Sequence, residues 1–182
     1  MEGLCRDHLA VIDKLFLRFH AVADRIRHYR FEEGEEFYLF GRSFPLRFTQ
    51  RLCRFSGEAF LVPQGDAAAI QASLARIYRK ALRELLEQHT IQLAASVGKN
   101  ITAVRISSAR RRWGSCSSAG VISFSWRLAQ CPPELIEYVL WHELSHLDEM
   151  SHSARFYRIL AGYLPDHAAR RRDLQKFSCR II

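Results

Sequence analysis

The residues best equipped for chemistry are His142, Glu143 and His146, with His152 six positions further on. On a helix, positions i and i+4 share a face, so His142 and His146 can offer two imidazoles to one metal ion while Glu143 stands beside them. This is the His-Glu-x-x-His arrangement of zinc hydrolases. A catalytic zinc usually takes three protein ligands and keeps a fourth position open for water, and His152 is the best third candidate. Imidazole suits Zn2+, a water in the open position has its pKa lowered towards ~7, and Glu143 is placed to take its proton. The expected chemistry is metal-assisted hydrolysis, with His142, His146 and His152 as ligands and Glu143 as the general base.

The elements around this group must hold it in place. Pro132-Pro133-Glu134 is a helix start, with proline in the first turn and an acid suited to the helix dipole. The helix is expected from about Glu134 to Asp148, with Leu135, Ile136, Val139, Leu140 and Leu144 on its buried side. Six residues at roughly 100° each would carry His152 away from the face of His146, so the chain must bend between Leu147 and Ser151. The spacing equals that of the metzincin motif, but Glu149 stands where that class has its turn glycine. The only methionines, Met1 and Met150, leave no downstream Met-turn. Ser151 or Ser153 can then cap a further helix ending at Pro165, and a basic helix from Ala168 to Phe177 follows.

Before the site, Ile101 to Ser107 and Val121 to Leu128 read as strands joined by a turn, Arg110 to Gly120, too rich in glycine and serine for a regular element. Trp113 and Arg127 could border a cleft beside the metal helix, as substrate-binding residues or as groups that orient its ligands. Cys116 reads as packing. Asp66 is a good N-cap for an alanine- and leucine-rich packing helix, Ala67 to about His89, with a second helical run from Thr90 to Val97. Upstream come a hairpin turning at Gly41 and a short strand within Phe55 to Val62, which ends at the Pro63 to Asp66 turn. An amphipathic helix spans Asp7 to about Tyr29.

With 182 residues, 48% of them hydrophobic, the chain suits one compact domain rather than two catalytic ones. The expectation is an N-terminal helix and strand elaboration over 1–62 and a metal-dependent hydrolase core over 63–182. Five scattered cysteines without a CxxC pair argue for a reducing compartment and against a disulfide frame. No apolar run approaches the ~18 residues needed to cross a bilayer and no signal-peptide layout is seen, so a cytoplasmic protein without a membrane partner is expected. The net charge of +8 could attract nucleic acid, nucleotides or acidic peptides.

The stretch RRWGSCSSAGVISFSWRLAQCPPELIEYVLWHELSHLDEMSHSARFY resembles the signature of the YgjP-like metallopeptidase family, a zincin-like group related to the SprT proteins. The resemblance rests on an RWGSCS turn, a strand ending in WRL, a double proline, HELxHL, and a histidine shortly before an aromatic-containing helix. It covers roughly residues 100–175. It implies an α+β, zincin-like fold with a small antiparallel or mixed sheet packed on helices, metal ligands at His142, His146 and His152, and a catalytic Glu143. A peptide or protein substrate is implied too. Ser125 and Ser151 stand where the family usually has asparagine, and the N-terminus departs from its basic β-hairpin segment. One YgjP-like protein is described as a nucleoside triphosphate pyrophosphatase of UTP type, which makes a nucleotide the alternative substrate. SprT relatives associate with DNA, a further alternative, although a structural zinc normally has four protein ligands and only three are found.

Overall fold

The computed structural model describes residues 29–177, so the amphipathic helix expected from Asp7 to about Tyr29 lies, but for its last position, outside the described residues. The architecture is mixed α+β, with four α-helices and two small sheets among the described residues.

The first sheet is built from β1 (Glu36–Leu39), β2 (Arg42–Thr49), β3 (Arg54–Phe55) and β4 (Phe60–Pro63), in the order β1-β2-β4-β3. Phe37 and Leu39 on β1, and Phe60 and Val62 on β4, point inward at the two-residue period of a half-buried strand. β1 and β2 form the expected hairpin, closed by Phe40-Gly41 between the paired Leu39 and Arg42. Both turn residues have positive φ, 50° and 79°, as the twist of a two-residue hairpin requires. Phe40 is an unusual occupant, held there by its N–H donating to Ala129 O at 2.7 Å. A Cβ on Gly41 would stand 2.9 Å from the Cα of Pro132. The hairpin tip is therefore seated on the residue that starts the site helix. Phe55 to Val62 holds parts of two strands, since β3 and β4 pair antiparallel.

Helix α1 runs without a break from Ala67 to Ser96, so the two expected helical runs are one. Asp66 caps it, accepting from Ala69 N at 2.8 Å. Its buried side, including Leu74, Tyr78, Leu82 and Leu86, continues through Thr90 and Ala94, which keeps the final turns packed. Tyr78 sits between Phe60 and Trp126, at ring-centroid distances of 5.4 and 5.7 Å, and so links the first sheet to the second half of the chain.

The second sheet departs from the expected strand, turn and return strand. β5 (Ala103–Ser107) and β7 (Val121–Ser125) are parallel, and a third strand, β6 (Gly114–Cys116), lies in what reads as an irregular turn. β6 pairs antiparallel with β7, giving the order β5-β7-β6. A strand of three small or polar residues leaves no periodic signal, yet it reverses the chain and sets β7 parallel to β5. β7 ends at Ser125 and residues Trp126–Gln130 form a 3-10 turn. Three helices complete the chain: α2 (Pro133–Ser145), α3 (Ala154–Tyr163) and α4 (His167–Phe177). Buried residues from both sheets and all four helices form one core cluster.

Candidate metal centre and catalytic cleft

Helix α2 begins at Pro132-Pro133 and ends earlier than expected, with His146 as its C-cap residue. His142 lies in its last turn, and the two rings are 5.0 Å apart. The bend that brings in His152 is made without glycine. The Glu149 carboxylate accepts from Ser151 N at 3.1 Å and from Ser151 Oγ at 2.7 Å, closing a tight turn through its own side chain. Lys99 pairs with Asp148 beside it. Ser153 then caps α3, accepting from Phe156 N. His152 returns to 5.0 Å from the His142 ring and 4.7 Å from the His146 ring.

The donor nitrogens of the three histidines lie within 4.8 Å of one another, and Nε2 of His142 and Nε2 of His152 are 3.0 Å apart. With zinc–nitrogen bonds of about 2.0–2.1 Å, the edge of a tetrahedral shell is ~3.3 Å, so the spacing fits such an ion. The second ring nitrogen of His146 faces the carbonyl of Glu149 at 3.1 Å. A proton on Nδ1 is held by that carbonyl, which leaves Nε2 as the lone-pair donor. Burial, with the charges of His146, His152 and Arg171, pushes His142 down to about 3, so its imidazole is neutral and able to ligate. Burial also lowers His152. Beneath the cluster lies fully buried Phe156, its ring centroid 4.9 Å from His142, 4.5 Å from His146 and 4.9 Å from His152.

Glu143 is 4% exposed, and burial raises its carboxyl to about 8 against the opposing pull of the Arg112 charge. It lies against Gly114 of β6 and shares with His142, His146 and His152 a cleft of about 470 Å³. Trp113 lines this cleft. Arg127 does not: its guanidinium lies 4.2 Å from the Trp126 ring centroid and donates to Ser108 O at 3.3 Å. Cys116 is half-buried in the cleft wall, and its thiol, pushed up to about 11 by burial and by Glu143, stays protonated. A protonated thiol is a poor competitor for the metal.

Four contributors gave no clear signal in the sequence. Gly114 is the floor under Glu143, Phe156 the floor under the histidines, Tyr138 a buried phenol in the cleft wall, and Arg171 a cation reaching the cleft from α4. Phe156 alone could have been suspected, since it follows His152 by one helical turn.

An α+β protein that gathers three histidines around a His-Glu-x-x-His helix end falls in the class of metallopeptidase-like, metal-dependent hydrolases. The family model described as "YgjP-like, metallopeptidase domain" matches residues 1–177, and the chain belongs to that family. Among solved structures the chain is similar to the metallopeptidase zymogen of Pyrococcus abyssi abylysin, with 24% identity and a TM-score of 0.43, covering 54% of this chain and 98% of that one. No curated protein matches the chain. No helix among the described residues is long and apolar enough to cross a membrane.

Proposed function

We propose that the protein hydrolyses peptide bonds, with a zinc ion held by His142, His146 and His152 and with Glu143 as general base. The observation that carries this reading is the convergence of three imidazole donors beside a buried carboxyl group in one open cleft. Zinc, when bound, lowers the pKa of a water molecule and polarises a substrate carbonyl. Glu143 takes the proton from the attacking water and returns it to the departing amine. His146 is aligned by the Glu149 carbonyl, and Phe156 keeps all three rings from tilting away.

The substrate is read from β6. This strand pairs only with β7 among the described strands, and its residues line the cleft, so an extended polypeptide can add to its outer edge by main-chain hydrogen bonds. Trp113 borders that path. Nucleotide hydrolysis and a DNA-associated role gain no comparable support. Gly114-Ser115-Cys116 is strand rather than a phosphate-cradling loop, and Arg127 packs on Trp126 away from the cleft.

The test is a metal analysis combined with Glu143→Gln. The purified protein is expected to hold about one zinc per chain. The variant should keep its metal and lose hydrolysis of an unstructured protein substrate. Full activity in Glu143→Gln would sink the mechanism.

A further inference from the structure

Helix α4 carries three consecutive arginines, which successive 100° steps send in different directions. Arg170 is spent on structure: it bonds Glu137 Oε2 at 2.5 Å, Asp166 Oδ2 at 2.9 Å and Glu134 O at 2.9 Å, tying α4 to α2. Arg171 has a different setting. It lines the catalytic cleft, and its one hydrogen bond seen here runs from Nη1 to the hydroxyl of Tyr157, an uncharged partner, at 3.2 Å. Among the described residues no carboxylate forms an ion pair with it.

Two cations line the cleft, and they serve different places. The charge of Arg112 acts on Glu143, the cleft's own acid. The charge of Arg171 acts instead on His142, His152 and Tyr138. Arg112 thus acts on the Glu143 side of the cleft and Arg171 on the histidine side, where no carboxylate among the described residues pairs with it. Tyr157, which anchors it, is fixed by ring contacts to Phe156 at 5.3 Å and to His167 at 6.0 Å. One anchored N–H leaves a planar fork of further donors suited to grip both oxygens of a carboxylate. Leu174 and Met150 supply apolar wall nearby, which strengthens a charge contact.

We propose that Arg171 makes this cleft selective for a polypeptide bearing a carboxylate beside the cleaved bond, supplied either by an acidic side chain or by a free C-terminus. The proposal rests on the peptidase reading above and adds the substrate class to it.

The experiment uses the full-length, zinc-loaded protein and quenched fluorescent peptides in matched sets. One arm carries a single Glu, moved residue by residue across the cleaved bond, in amidated peptides. A second has Gln at the same positions, and a third has Gln with a free C-terminal carboxylate. At one position next to the bond, kcat/KM for Glu should exceed that for Gln by about tenfold, the worth of a charge-assisted hydrogen-bond pair in a partly open site. The third arm shows whether a terminal carboxylate substitutes.

In Arg171→Gln the Glu-to-Gln ratio should fall to near one, through a loss on the Glu peptides larger than any on the Gln peptides. Arg172→Gln should keep the ratio, and Tyr157→Phe should reduce it in part. A ratio near one in the unaltered protein overturns the proposal and leaves the peptidase reading intact. Equal slowing of both peptides in Arg171→Gln also overturns it, because that is the signature of a group acting on the transition state. Should no peptide be cleaved, the peptidase reading fails, and binding of the same peptides to zinc-loaded Glu143→Gln decides the rest. About tenfold tighter binding of the Glu peptide, lost with Arg171→Gln, upholds carboxylate recognition, and equal binding ends it.

Discussion

The Cα of Gly114 lies so close to the carboxyl group of Glu143 that a methyl group added there would stand 2.5 Å from Oε1 and 2.8 Å from Cδ. No side chain can be accommodated at that distance unless the carboxyl moves, because Gly114 is held by its pairing with Phe124 on β7. The glycine of the RWGSCS stretch is thus a spatial requirement of the Glu143 carboxyl, the proposed general base.

Gly114→Ala should therefore act on catalysis more than on folding. A displacement of about 1 Å at a reacting group costs on the order of 100-fold in rate. The expected outcome is a kcat/KM lowered by roughly that factor, with far-ultraviolet circular dichroism and zinc content unchanged. Loss of zinc in parallel with activity would mean that the strand, and not the carboxyl, had moved.

The clustered histidines and their helix were legible because i, i+4 spacing and a double-proline start are local signals. The bend before His152 was legible too, since helix geometry excludes ligation without it. What could not be read was contact between segments distant in sequence. Gly114 meets Glu143 across 29 positions of chain, and β6 is too short and too polar to announce itself as a strand. Arg127 illustrates the converse: its place after a strand suggests a cleft residue, but stacking on adjacent Trp126 turns it elsewhere.

Glu149 replaces a turn glycine by side-chain hydrogen bonds to Ser151 while its carbonyl holds His146. Glu149→Ala removes the first function and keeps the second. His152 should then be presented less often to the metal, and zinc affinity should drop by about tenfold, the lower end for losing an outer support of a ligand. Competition with a calibrated chelator measures this. Glu149→Gln, which retains an acceptor for Ser151, should fall in between.

Phe156 contacts all three imidazoles from below and is fully buried. Phe156→Ala opens a cavity under the site and should destabilise the protein by about 3–5 kcal/mol. Denaturant unfolding of the metal-free protein reads that loss directly. Phe156→Leu should recover much of the stability and less of the zinc affinity, since a branched aliphatic cannot support three flat rings equally.

The metal-free protein should show two opposed pH dependences. His142 is held at about 3 in the fold against an ordinary 6.5, so between those values the unfolded chain binds the extra proton and stability falls as the solution is acidified. Glu143 is raised to about 8 from an ordinary 4.5, so the folded state binds the extra proton over that window. Its contribution is fully present below pH 4.5 and is lost as the pH rises through 8. Between 4.5 and 6.5 the two effects oppose each other, and from 6.5 to 8 only the Glu143 decline is left of the pair. Thermal melts of chelated protein should therefore show a decline over that upper interval which Glu143→Gln, lacking the titrating group, removes. An unchanged decline in the variant would assign it to other groups. Added zinc should raise the midpoint throughout, by mass action on the folded state, and most at pH values where the histidines are neutral.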